Sequence, residues 1–415
     1  MDRASLSSLS RQPGYPAFLG AATLARVADE MFSVGVVLFV LDRTGSAALA
    51  GATVAAVALP SLVTGPLLGA WLDLTGRRRV LMVYDQLAIS ASLVLILLLA
   101  GDAPDVLLPA SALVLAGITY PLSFGAMTSF IPLLVPERML TQANAVEASS
   151  FNLALIIGPA LAGTLSAVFG AAAPLIVEIA LSLGALGLIL LVPGLDRAGT
   201  AAHAAGRTIW SVAGSGLARI AEVPALRGVT ATGVLGLGGL GLLTVAFPFF
   251  CVEHLGVERS AAGYLWAAFA LGSMLGALAL VRLQRLMAPE RIVIVGIALF
   301  GALMLLWPLQ SSLVPMLLVV ALAGVADGPA LAATFAARQQ HVPPELHGQV
   351  FTTASGLKVG AFALGSAAAG PVVLAAGSAG ALLAAAIVQF VAAGAGLVLM
   401  RTRGKQRQLS GRLRA

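Results

Sequence analysis

The chain has 415 residues, 59% of them hydrophobic and only 10% charged, with a mean hydropathy of +0.98. Soluble domains carry about 25% charged residues, so a water-soluble fold is excluded, and the single cysteine, Cys251, excludes an intramolecular disulfide and reads as a small apolar filler. The formal charge of +6 leaves nucleic-acid binding open only until the placement of the basic residues is read.

The polar N-terminus "MDRASLSSLSRQPGYP" is followed by an apolar stretch over 16–41. That stretch is longer than the core of a signal peptide, about 7–15 residues, and it holds charges, so a retained first helix is expected. Arg26, Asp29 and Glu30 lie in its middle. Each such charge at the centre of a span costs about 2.5–3.5 kcal/mol, so partners are required. Crossing a bilayer takes about 20 apolar residues. Further runs of that kind cover 46–72, 80–101, 107–131, 142–169, 172–193, 228–250, 261–281, 292–309, 313–338, 349–376 and 378–400. None alternates as a barrel strand does. The expected fold is an all-α polytopic membrane protein with twelve transmembrane helices in two six-helix bundles.

Basic residues favour the cytoplasmic side of a membrane. With the N-terminus cytoplasmic, the tails and the loops after even-numbered spans hold twenty of the 24 Lys and Arg, Arg338 among them, against Arg43 and Arg259 on the other side. Arg26 and Lys358 fall within spans. The basic charge therefore sets topology, and no nucleic-acid partner is expected. The polar stretch 194–227 contains "GRTIWSVAGSGLARIAEVPALRG", an amphipathic helix expected at the cytoplasmic interface. It divides an N-terminal bundle (1–193) from a C-terminal bundle (228–400), and a basic tail (401–415) follows. The halves look related. A shift of 207 residues carries Gly65, Leu68, Gly69 and Ala70 onto Gly272, Leu275, Gly276 and Ala277, and Pro136 onto Pro343. It also carries Gly158, Ala160, Ala162 and Gly163 onto Gly365, Ala367, Ala369 and Gly370. Parallel repeats of this kind are characteristic of transporters.

"GPLLGAWLDLTGRRRVL" (65–81) places Gly69, Leu72, Asp73, Gly76, Arg77, Arg78 and Leu81 in a glycine–aspartate–glycine–basic pattern. It resembles the signature loop of the major facilitator superfamily, with Leu74 where a basic residue is usual. The resemblance implies a loop that latches the halves at the cytoplasmic face. "VPERMLTQANAVEASSFNLALIIGPALAG" (135–163) resembles the fifth helix of the drug–proton antiporter branch through Asn152, Gly158, Pro159 and Gly163. Residues 26–51 are similar to that branch's first helix. Gly158 and Ala162 also form a small-xxx-small step that suits close helix packing. "GLGGLG" (236–241) satisfies a nucleotide-binding pattern but lies within an apolar span with no preceding strand. No HExxH, CxxC cluster, GxSxG or P-loop lysine occurs, so neither an enzyme nor a cofactor or metal site is expected. The four histidines fall in loops or at span ends.

Arg26 stands three and four residues before Asp29 and Glu30, on one helical face, so local neutralisation is expected. Asp327 and Lys358 lie about eleven and nine residues from the cytoplasmic ends of the tenth and eleventh spans. At 1.5 Å per residue they are about 13–17 Å deep, level with the first helix's charges. The five residues read as one midplane layer with one acid in excess, Asp29 or Glu30 being the protonation site and Asp327 pairing with Lys358. Asp85, Glu147 and Glu178 lie nearer span ends and are expected to snorkel to water. Asp327-Gly328-Pro329 is expected to break the tenth helix into a hinge. The resemblance implies a plasma-membrane exporter of a small, largely hydrophobic drug or natural product, a multidrug efflux protein driven by proton antiport. It is expected to be a monomer whose partners are substrate, protons and lipid. A proton-coupled importer on the same fold and a non-transporting receptor-like or enzymatic membrane protein are the alternatives.

Overall fold

The computed structural model describes residues 9–60, 62–64, 67, 71, 75, 77–99, 130–193, 209–342 and 346–401. Their regular structure is helical: α1 (Tyr15–Thr44), α2 (Ala47–Ala58), α3 (Arg78–Leu99), α4 (Leu140–Phe169), α5 (Ala173–Leu191), α6 (Ile209–Glu222), α7 (Pro224–Glu253), α8 (Ala262–Ala277), α9 (Pro289–Met304), α10 (Leu313–His341) and α11 (His347–Arg401). Local sequence sets the boundaries. Pro16, Pro174, Pro224 and Pro289 occupy first turns, where the missing N–H is no loss. Gly45 ends α1 with a φ of 65° that a side chain would resist, and its N–H caps Leu41. Ser46 then accepts from the Leu49 N–H at 3.1 Å to start α2.

Among the described residues nine stretches are long and apolar enough to cross a membrane. The charges of α1 keep it out of that group, although its 30 residues are long enough. The expected span 107–131 lies almost wholly outside the described residues. Within α11 the backbone turns at Gly377, φ 72°, which divides the helix where the sequence places the boundary between its last two spans. The break between α4 and α5 falls at Gly170, as expected. The hinge does not form: α10 runs unbroken through Pro329. Gly328 serves packing instead, because a Cβ there would lie 2.0 Å from the Ser273 carbonyl oxygen of α8.

The internal repeat appears in three dimensions. A Cβ at Gly158 would lie 2.5 Å from Glu30 Cβ and 3.1 Å from the Met31 nitrogen, and one at Gly365 would lie 1.9 Å from the Gly238 oxygen. The 207-residue shift carries Met31 onto 238, so both glycines let equivalent helices approach. Gly163 closes α4 onto the Ser260 carbonyl just before α8 and onto Gly263 within it, and Gly370 closes α11 onto α2 at Ala48, so each half reaches across to the other by the same device.

The halves meet mainly away from the chain ends. One buried cluster joins α1 residues 36–41 and α2 residues 49–57 to α7 residues 242–251, Leu265, Trp307 and Ala369. Toward the face carrying the chain ends, each half has its own core. Tyr15, Phe18, Phe130 and Ile189 serve the first, and Ile220, Leu226, Val342 and Val350 the second. Among the described residues the halves thus close on each other at one face, the outer face in the expected topology. The amphipathic helix exists as α6, and it docks on the second half. Gly216 abuts the Gln349 carbonyl, Ile220 joins the core, and Arg219 donates to the His341 carbonyl at 2.9 Å.

Candidate functional site

The charges of α1 sit where α1, α4 and α5 pack together. Arg26 is buried, and its guanidinium forms an ion pair with Glu147 of α4. It also donates to the Glu147 carbonyl at 3.4 Å and to Ser150 Oγ at 3.3 Å, and it lies over the Phe151 ring at 5.3 Å. The expected local neutralisation is therefore corrected: the guanidinium reaches across to the next helix. Physically, an acid three or four residues away competes with a neighbouring helix that offers a carboxylate, a carbonyl and a hydroxyl together, and the second set takes the guanidinium. Glu147 meets two guanidinium nitrogens, one with its carboxylate and one with its backbone carbonyl.

Snorkelling is overturned as well. Asp85, Glu147 and Glu178 are all buried. Asp85 accepts from Gln86 Nε2 at 2.9 Å. Glu178, on α5, exposes none of its surface, and neither carboxylate oxygen has a hydrogen-bond partner. Its charged neighbour is Asp29, also buried. Glu30 is partly exposed, with its Cβ against Gly158 of α4. The first half thus gathers Asp29, Glu30 and Glu178 beyond the Arg26–Glu147 pair.

The second half differs in sign. Asp327 of α10 lies near Ser273 of α8 and in the field of Lys358. Lys358 of α11 feels Asp327 and also Arg338, and its end rests against α7 at Gly233. Asp327 and Lys358 interact without forming an ion pair within 4.0 Å, so the expected pairing is one of field rather than contact. Arg338, expected in a cytoplasmic loop, is 2% exposed inside α10. The first half thus carries Asp29, Glu30 and Glu178 beside the Arg26–Glu147 pair, and the second carries Lys358 and Arg338 beside Asp327.

The latch loop is only partly described: Gly69, Asp73 and Gly76 lie outside the described residues. Arg77 is exposed, Arg78 lies over Phe130 at 5.7 Å, and the adjacent Arg79 donates to the Val192 carbonyl at the end of α5. In α4, Asn152 is partly buried, Gly158 and Gly163 are contact points, and the Pro159 carbonyl faces Gly263 of α8. Between the halves, Thr164 and Tyr264 share a hydrogen bond of 3.0 Å, and Arg259 donates to the Leu41 carbonyl at 3.4 Å. Cys251 is buried and unpaired, in keeping with its reading as a filler. GLGGLG is helical within α7, with Gly238 and Gly241 against α11.

Sequence reasoning missed Glu147, Glu178 and Arg338 as buried groups. The available signal was Arg26 itself, which demanded an acid from another helix.

The profile of the family described as Major Facilitator Superfamily matches residues 18–355 and 228–414. The MFS-type transporter y4rN of Sinorhizobium fredii is 31% identical over 379 residues, covering 89% of this chain and 91% of that protein. The multidrug efflux pump Tap of Mycobacterium tuberculosis is 30% identical over 387 residues, 90% of each chain. A solved bacterial homologue of the human lysosomal transporter Spinster, inward-facing and unoccupied, superposes with a TM-score of 0.68. It covers 93% of this chain and 96% of its own at 16% identity, a likeness of fold alone.

Proposed function

The chain belongs to the Major Facilitator Superfamily, and from that premise we propose that it exports a small, largely hydrophobic compound in exchange for protons. It is a membrane transporter and not an enzyme. The observation that carries the export reading is the 30% identity, over nine-tenths of both chains, to a protein named as a multidrug efflux pump. The geometry supports proton coupling through Asp29 and Glu30, two acids of the first half beyond the Arg26–Glu147 pair. In this reading twelve helices cross the plasma membrane with both termini cytoplasmic, and the monomer alternates between two states. Protonation of the acidic group favours one state and substrate the other, because each ligand shifts the equilibrium only by its differential affinity.

The test is loss of a fluorescent dye from an efflux-deficient bacterial host, with and without a protonophore. The native chain is compared with Asp29→Asn, Glu30→Gln and Asp327→Asn. Protonophore-sensitive efflux that an acid-to-amide change on α1 abolishes is the expected result. Dye retention by cells with well-expressed native protein would sink broad export, and dye uptake would replace it with the importer reading.

A further inference from the structure

The basic group of the second half is more than a counterweight. We infer that Lys358, with Arg338 beside it, seats an anionic group, carboxylate or phosphate, carried by the transported compound. The inference rests on the export reading for its cargo and on the structure for its site.

Lys358 packs against α7. A Cβ at Gly233 would lie 2.5 Å from Lys358 Cε and 3.2 Å from Nζ, so the end of the side chain rests against the α7 backbone there. The residue is partly exposed. Arg338 is held differently from Arg26. Its guanidinium lies over the Phe351 ring at 5.4 Å, Phe351 stacks on Phe335 at 5.8 Å, and its Nε and Nη2 have no hydrogen-bond partner. An aromatic face stabilises a cation but leaves its N–H donors unused. Two further buried donors are unpartnered: the hydroxyls of Thr353, on α11, and Thr230, one turn before Gly233 on α7.

The charges do not balance. Phe351, over which Arg338 lies, stands two turns before Lys358 on one face of α11, and Lys358 lies in the field of Arg338 as well as of Asp327; among the described residues no carboxylate forms an ion pair with either cation. Other described acids of this half are engaged elsewhere: Glu290 with His341, Glu253 with Ser378, and Glu258 with Ser260. Buried cations without hydrogen-bonded counter-charge are costly, and guanidinium and ammonium donors suit carboxylate and phosphate oxygens. One anionic group between them neutralises the surplus. The acids of the first half then have no need to touch the cargo's charge and are left to the protons.

The test uses the full chain in phosphatidylcholine nanodiscs and two dyes on one xanthene ring system: fluorescein, which is anionic, and rhodamine 6G, which is cationic with its carboxyl esterified. Binding is read by fluorescence polarisation. Lys358→Met and Arg338→Gln are expected to weaken fluorescein binding by at least about tenfold, while Lys358→Arg retains it and rhodamine 6G binding is little changed. Should Arg338→Gln fail to fold, Lys358→Met decides. No fluorescein binding by the native chain, an unchanged affinity in Lys358→Met, or equal loss of both dyes overturns the inference. Repeating the titration with phosphatidylglycerol in the disc separates cargo from lipid: unchanged binding supports a cargo seat, and a comparable loss gives the seat to a lipid headgroup and overturns it. Cells that fail to extrude dye, beside purified protein that binds fluorescein through Lys358, would refute export and leave the seat standing.

Discussion

Gly263→Ala tests what holds the two halves closed. A Cβ at Gly263 would stand 2.2 Å from the Pro159 carbonyl oxygen and 3.0 Å from Gly163 Cα, so the clash is with backbone that no rotamer can move. Ordinary carbon–oxygen contacts across helices are about 3.3–3.6 Å, so α4 and α8 must part by about 1 Å. Overpacking of this kind costs about 1–3 kcal/mol. Alanine is the better helix former by about 1 kcal/mol, but that gain is present in both conformations and cancels. The full clash therefore acts on the equilibrium between them, a shift of about 5- to 150-fold away from the state described here. Spin labels on Phe169 and Val252, both exposed near the closed face and on opposite halves, report the change once Cys251 is replaced by alanine. A longer-distance population should grow in Gly263→Ala. An unchanged distance distribution would mean that the α4–α8 contact does not hold the closed face, and the packing argument would fail.

Removing Arg26 as Arg26→Met should destabilise by about 3–5 kcal/mol, because Glu147 loses its buried counter-charge; Arg26→Met with Glu147→Leu should recover much of that in thermal melts. Glu178→Gln should change stability by less than about 1 kcal/mol, since an amide of the same shape replaces a carboxylate with no hydrogen-bond partner; a large fall in melting temperature would show that the ionised form is held. Gly272→Val should abolish accumulation of folded protein, because even a Cβ there would sit 1.9 Å from the Ala321 oxygen, and a normal membrane yield would contradict the α8–α10 packing. Arg259→Ala should act in the same direction as Gly263→Ala but more weakly, by about 0.5–1.5 kcal/mol, the worth of one hydrogen bond, read with the same spin labels.

Much of the fold was legible because membrane spans are coded by length and composition, and helix ends by proline and glycine. The break at Gly170 and the turn at Gly377 fall where the apolar runs stop. The repeat was legible because close helix contacts demand glycine at fixed register, as Gly158 and Gly365 show. The charged site was legible only as a list of residues. Which acid faces Arg26 depends on the rotation of α1 against α4, and no spacing within one helix carries that information. Arg338 was misplaced for a related reason. Its position near the end of α10 suits a loop, but Phe351 arrives from another helix to cover it. Asp327-Gly328-Pro329 misled because glycine beside proline usually marks a break, whereas here the glycine is spent on contact with α8.

The closure at one face is built from apolar side chains and bare helix backbone. Opening it would wet that apolar surface and raise the heat capacity of the opened state. Hydrophobic association weakens on cooling, so the balance between the two states should bend with temperature, and chilling should favour the opened form. The residues that close this face would then also set how its opening responds to temperature.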